Sequence, residues 1–154
     1  MKTSVAVSNL HENSALFDDW IYVGKHACRL DEQTESFLVI FHGALTLEQF
    51  DAINALVRPA LCEKRARFFI LDVAELPAVP PEVRRRMGVS ADPVVPQATI
   101  IVGAGSAIRI LANLVRRGLL LLGRQKDTSF LFCRNLAEAH AWTERGRAGR
   151  LSQT

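Results

Sequence analysis

At 154 residues the chain has the length of one domain, enough to bury about two thirds of the surface its unfolded form would expose. With 49% hydrophobic and 23% charged residues it falls outside the disordered class and needs no staple to fold. The formal net charge of +3 hides an asymmetry, eight acids against three bases in residues 1–51 and eight against sixteen in the remainder. That imbalance suits an anionic partner over the second half, or self-association in which acidic faces meet basic ones, where it is more than a solvated surface.

Residues 1–17 carry no sustained hydrophobic period and read as a flexible arm, without the basic region and continuous apolar run of a secretory signal. Nothing in them directs export, and Cys28, Cys62 and Cys133, an odd set without CxxC spacing, fit a reduced, cytoplasmic compartment. The domain is placed at 18–143. Trp20 to Leu30 reads as a strand, Asp31 to Ser36 as a polar turn and Phe37 to Phe41 as a second strand, together a leading hairpin. Thr46 with Gln49 three residues on forms a capping box that opens a helix. Leu47, Phe50, Ile53, Val57 and Leu61 make its apolar stripe, and Pro59 inside that pattern predicts a kink or an early end.

Phe68 to Val73 is a third strand with Asp72 near its carboxyl end. After Pro77 and Pro80, Pro81 opens a short helix, where its missing amide costs nothing and Glu82 complements the helix dipole. This helix carries Arg84, Arg85 and Arg86 and turns Val83 and Met87 inward. Ala98 to Val102 is the next strand, Ser106 to Leu122 a long helix, and Ser129 to Cys133 a strand. Asn135, with Glu138 at the box position, caps a last helix that ends near Trp142, and 144–154 reads as a disordered basic tail. From residue 37 the order is βαβαβαβα. The fold class is therefore α/β, a mostly parallel sheet with one antiparallel edge strand and helices packed on it.

Several stretches bear on chemistry. Gly103-Ala104-Gly105 joins a strand to a helix, but Ile108 stands where a dinucleotide fingerprint needs its third glycine. A weaker reading remains, in which the turn at Gly103, Gly105 and Ser106 with Arg109 one turn in attracts an anion; the bland alternative is a tight turn that requires glycine. Arg109, Asn113, Arg116 and Arg117 form a polar stripe on a helix whose apolar arc is wider than one sheet contact needs. The spare face suits a second copy first, then another protein or a lipid surface. The apolar stretch itself is too short and too charged to span a bilayer.

The histidines His11, His26, His42 and His140 lack metal-ligand spacing, so no metal and no cofactor are expected. His42 and Asp72 lie near carboxyl ends of strands and suggest a proton-transfer pair, but no nucleophile or oxyanion motif accompanies them, so no catalytic residue is assigned and the chain reads as a non-enzyme. The aromatics sit in strand runs rather than among the basic residues, which argues against nucleic acid.

The order of elements and the strand Phe69-Ile70-Leu71-Asp72, with a loop and helix after it, resemble the STAS fold of the anti-sigma factor antagonists, also called SpoIIAA-like. More narrowly, Pro81-Glu82-Val83-Arg84-Arg85, Ile101-Val102-Gly103-Ala104-Gly105-Ser106, Arg109-Ile110-Leu111-Ala112-Asn113-Leu114 and Ala137-Glu138-Ala139-His140-Ala141-Trp142 resemble bacterial STAS/SEC14-like proteins, over roughly Trp20 to Trp142. The resemblance implies a regulatory module that binds a protein partner through the loop and short helix after the third strand, here Asp72, Glu75, Arg84 and Arg85. The stretch Asp72 to Pro81 contains no hydroxyl, so the serine or threonine that accepts phosphate in regulatory members has no counterpart and no phosphoacceptor is expected. Regulatory protein interaction, with a homodimer through residues 106–122, is the leading expectation. The alternative is a small amphipathic ligand or lipid, with an anion site at the glycine turn. A docking module should keep a filled core, whereas a ligand carrier needs an apolar cavity of a few hundred cubic ångströms, on the order of the usual ligand pocket.

Overall fold

The computed structural model describes residues 20–89, 96–121 and 129–151; the expected arm at 1–17 lies outside them. Six strands form one sheet in sequence order: β1 (Ile21–Val23), β2 (His26–Asp31), β3 (Ser36–His42), β4 (Phe68–Glu75), β5 (Ala98–Val102) and β6 (Ser129–Cys133). The helices are α1 (Leu47–Cys62), α2 (Pro81–Val89), α3 (Ser106–Leu121) and α4 (Leu136–Leu151). β3 to β6 pair in parallel and the leading hairpin pairs antiparallel, β1 with β2 and β2 with β3, which gives the mostly parallel sheet with an antiparallel edge that the sequence predicts.

The expected strand Trp20 to Leu30 is two strands. Gly24, at φ 60, starts a two-residue turn with Lys25 that sets Val23 opposite His26, because positive φ at that position matches the twist of the flanking strands. The following turn is held by Asp31, whose Oδ1 accepts the amides of Gln33 at 3.0 Å and Thr34 at 3.2 Å.

α1 opens on the expected box: Thr46 Oγ1 accepts the Gln49 amide and Gln49 Oε1 accepts the Thr46 amide, each at 3.1 Å. It runs through Pro59 without ending there. Pro59 faces solvent, where the Ala55 carbonyl that loses its amide partner can tilt away from the ring toward water, so the helix continues. The helix stops instead at a Schellman closure, with Lys64 at φ 56, its amide on Leu61 O at 3.1 Å and the Arg65 amide on Ala60 O at 2.9 Å.

Successive strand residues point to opposite faces, and each face builds its own core. Phe37, Val39, Phe41, Phe69, Leu71, Val73 and Ile101 face α1, α2 and α3. Leu38, Ile70, Ile100, Val102 and Cys133 face the other way, against Ala139 of α4. Consecutive strand order with right-handed crossovers is what sets α1, α2 and α3 on one face.

α4 extends to Leu151, well past the expected end near Trp142, so much of the segment read as a disordered tail is helix. The reason is a stripe of small residues: Ala139 and Thr143 are fully buried, and a side chain at Gly146 would meet the Phe68 ring at 2.8 Å. Thr143 Oγ1 donates to His140 O at 2.8 Å, so its burial leaves no donor unmet. At the start of α4, Asn135 Oδ1 accepts the Glu138 amide at 2.9 Å, while the Glu138 carboxylate takes the amide of Arg134 rather than that of the cap residue.

Candidate functional site

Between the sheet and α1–α3 lies a cavity of about 530 Å³. α1 and α3, at 16 residues each, run about 24 Å, whereas the nine-residue α2 between them runs about 14 Å, so the middle of the layer is the shortest. Phe69, Leu71, Thr99, Ile101 and Phe130 form the floor, which the strand register brings together: Thr99 pairs with Phe69 on one side and Phe130 on the other. Phe50, Val57 and Leu61 of α1, Val83 and Met87 of α2, and Ile108, Leu111, Ala112 and Val115 of α3 line the remaining walls. Polar side chains are few: Asp51, Asn54 and Arg58 on α1, and Thr99 on the floor. Such a lining has the apolar character of a small-molecule site, and it shows no nucleophile paired with a base, since Asp51 lies on α1 and Thr99 on the opposite floor.

The glycine turn is shaped by packing. Gly103 has φ 71, its amide donates to Cys133 O at 3.0 Å, and an added Cβ would stand 2.8 Å from Ala74 Cβ. Only glycine fits both demands. Gly105 has open space around it and Ser106 is exposed. The Arg109 side chain turns back on the turn, with Nε donating to Ala104 O at 3.2 Å and the guanidinium 5.0 Å from the centre of the Phe132 ring. Gly103, Gly105, Ser106 and Arg109 are thus brought to one junction, with the guanidinium already engaged.

The expected His42–Asp72 pair does not form. His42 Nδ1 meets Glu75 Oε2, because the β3–β4 register shifts between Ile40 and His42 and sets His42 opposite Glu75. Asp72 sits beside Ile40 instead, and its Oδ1 accepts the Ala74 amide at 3.1 Å, closing a local turn. Both members of the His42–Glu75 pair are solvent-exposed, where such a pair contributes little to stability.

On α2, Arg86 reaches Asp51 of α1 at 3.4 Å, and Arg85 Nε lies 3.4 Å from Pro81 O. Arg84 and Arg85 are exposed and pair with no carboxylate among the described residues. On α3, the inner residues Ile108, Leu111, Ala112 and Val115 face the cavity while Ile110 and Leu114 point outward, 62% and 59% exposed. Arg116 and Arg117 are exposed beside them. Asp72 and Glu75 at the end of β4 and Arg84 and Arg85 on α2 remain candidates for partner docking, brought to adjoining elements and joined by no mutual ion pair among the described residues.

Cys28 and Cys133 are buried and Cys62 is exposed. Burial pushes the Cys28 thiol up to about 12, and burial, helped by the nearby Glu138 carboxylate, raises that of Cys133. Among the described residues no cluster of three or more histidines, cysteines, aspartates or glutamates could hold a metal ion, and no helix is long and apolar enough to cross a membrane.

Two features of the site escape a reading by pattern. The cavity depends on helix lengths and spacing, which periodicity does not encode. Thr99 is one polar residue in a strand buried along its whole length, and although it stands out in Ala98-Thr99-Ile100-Ile101-Val102, threonine is common in strands and does not by itself mark a cavity.

No protein-family model and no curated protein matches the chain. It is similar to a solved structure described as an uncharacterized protein from the DUF3478 family with a SpoIIAA-like fold, from Shewanella loihica PV-4, at 18% identity over 70% of this chain and 83% of that one, with a TM-score of 0.49.

Proposed function

We propose that this chain is a non-catalytic binding module that holds a small, mostly apolar ligand between its sheet and the α1–α3 layer. The supporting observation is the cavity of about 530 Å³, within the range of about 300–1,000 Å³ typical of ligand sites and lined almost wholly by aliphatic and aromatic side chains. A module that acts through its surface alone has no use for a hollow beneath three helices, and each unfilled contact lowers its stability. This weighs against surface docking as the sole activity. Native mass spectrometry of protein purified from its own host, under gentle and then denaturing conditions, tests the reading. A small molecule released on denaturation is expected; a protein that is bare, and takes up no apolar probe afterwards, refutes it.

A second reading rests on a separate observation, the outward-facing Ile110 and Leu114 on α3. They suit self-association or a partner protein, with Arg84 and Arg85 left for acidic groups and Asp72 and Glu75 for basic ones. Light scattering of the wild type and of Leu114→Glu tests it: a dimer that the substitution dissociates supports it, and a wild-type monomer at high concentration counts against self-association.

A further inference from the structure

Four polar residues are buried among the described residues: His26, Ser36, Thr99 and Thr143. Three are satisfied. His26 Nε2 meets Gln49 Oε1 and its Nδ1 accepts the His42 amide, both at 3.1 Å, Ser36 Oγ meets Thr34 Oγ1 at 2.6 Å, and Thr143 donates to His140 O. Thr99 is the remaining one. It is 7% exposed, it lines the cavity floor, and its hydroxyl makes no hydrogen bond to any described residue.

A buried hydroxyl without a partner destabilises the fold, and valine has the same shape without that penalty. Both cross-strand neighbours of Thr99 are phenylalanines, which offer the hydroxyl no acceptor along the sheet. The cavity is where a partner can enter. We infer that Thr99 Oγ1 is the polar anchor of the ligand site, and that the ligand is an apolar molecule carrying one hydrogen-bonding oxygen or nitrogen at the end that lies over β5. The inference rests on the proposed ligand-binding function and adds the chemical class and orientation of the ligand.

The test uses two rigid probes of nearly equal shape, 2-naphthol and naphthalene, titrated into the full chain and followed by fluorescence. Wild type is expected to bind both. Thr99→Val should weaken 2-naphthol by about tenfold, about 1.4 kcal/mol, and leave naphthalene within about twofold, while Thr99→Ser retains most of the 2-naphthol affinity. The melting temperature of ligand-free Thr99→Val should equal or exceed that of wild type by about 2–4 °C, since the valine removes an unmet hydroxyl. That combination, a gain in stability with a selective loss of the hydroxylated probe, is not the behaviour of a packing residue. Equal loss of both probes, or no loss of either, overturns the anchor while leaving the cavity as a binding site. Binding of neither probe by wild type overturns the cavity reading and the anchor with it.

Discussion

Matched substitutions on the two faces of the sheet separate a hollow face from a filled one. Ala112 on α3 lines the cavity at 9% exposure, and Ala139 on α4 is fully buried against Ile70, Ile100 and Val102. Ala112→Phe places a ring where space exists: burying it gains about 1.5–3 kcal/mol, from which about 0.5 kcal/mol is lost to helix propensity, leaving a net stabilisation of about 1–2.5 kcal/mol. Ala139→Phe carries the same propensity loss but enters a filled interface, where overpacking costs about 1–3 kcal/mol or more. Urea unfolding reads both as shifts in midpoint at unchanged slope, upward for Ala112→Phe and downward for Ala139→Phe. Ala112→Phe should also reduce the uptake of naphthalene, since the ring occupies its space. If Ala112→Phe destabilises the protein as much as Ala139→Phe does, the space beneath α3 is not available and the ligand-binding proposal loses its foundation.

The two glycines of the turn should differ. Gly103→Ala is expected to cost about 2 kcal/mol or more, from the positive φ and the collision with Ala74, whereas Gly105→Ala should fall between neutral and about 1 kcal/mol stabilising by urea titration. Lys64→Gly should stabilise by about 1 kcal/mol, because a side chain now occupies the left-handed position that closes α1; an unchanged midpoint would mean that the closure carries no strain. Cys28 is protonated in the fold up to about 12, against 9.0 when unfolded, so its contribution is full below about pH 9 and is lost as pH rises towards about 12. Cys28→Val should therefore flatten the alkaline limb of stability against pH. In native protein Cys62 should react with a thiol reagent at neutral pH while Cys28 and Cys133 react only after denaturation.

The order of elements from β3 to α4 was legible because each carried a local signal: Thr46 with Gln49, Pro81 with Glu82, Gly103 after an apolar strand, Asn135 with Glu138. Where the reading failed, tertiary packing or turn geometry decided. The β1–β2 break hangs on Gly24 alone, within a run whose composition is otherwise strand-like. Pro59 is tolerated because its side of α1 meets water, a fact about the face and not about the residue. α4 outruns its apolar pattern because Thr143 and Gly146, neither of them hydrophobic, are what allow it to approach Phe68. The pairing of His42 with Glu75 instead of Asp72 follows from a register shift that no spacing rule reveals.

The two faces of the sheet also divide the work of stability and binding. α4 approaches closely through Ala139, Thr143 and Gly146, and its core contains the fully buried Ile70 and Ile100, whose truncation to alanine would cost about 2–5 kcal/mol each. The opposite face is covered by three helices, the middle one short, over bulky floor residues, and the one buried polar side chain there without a partner among the described residues, Thr99, lines the space they leave. A filled face can hold the sheet rigid beneath the hollow one, as the proposed binding would require, because the strands β4 and β5 belong to both cores through alternate residues. Thr99 and Ile100 are adjacent in the chain and face opposite ways: one carries a hydroxyl with no partner among the described residues, which the proposed ligand would supply, and the other is buried where packing alone suffices.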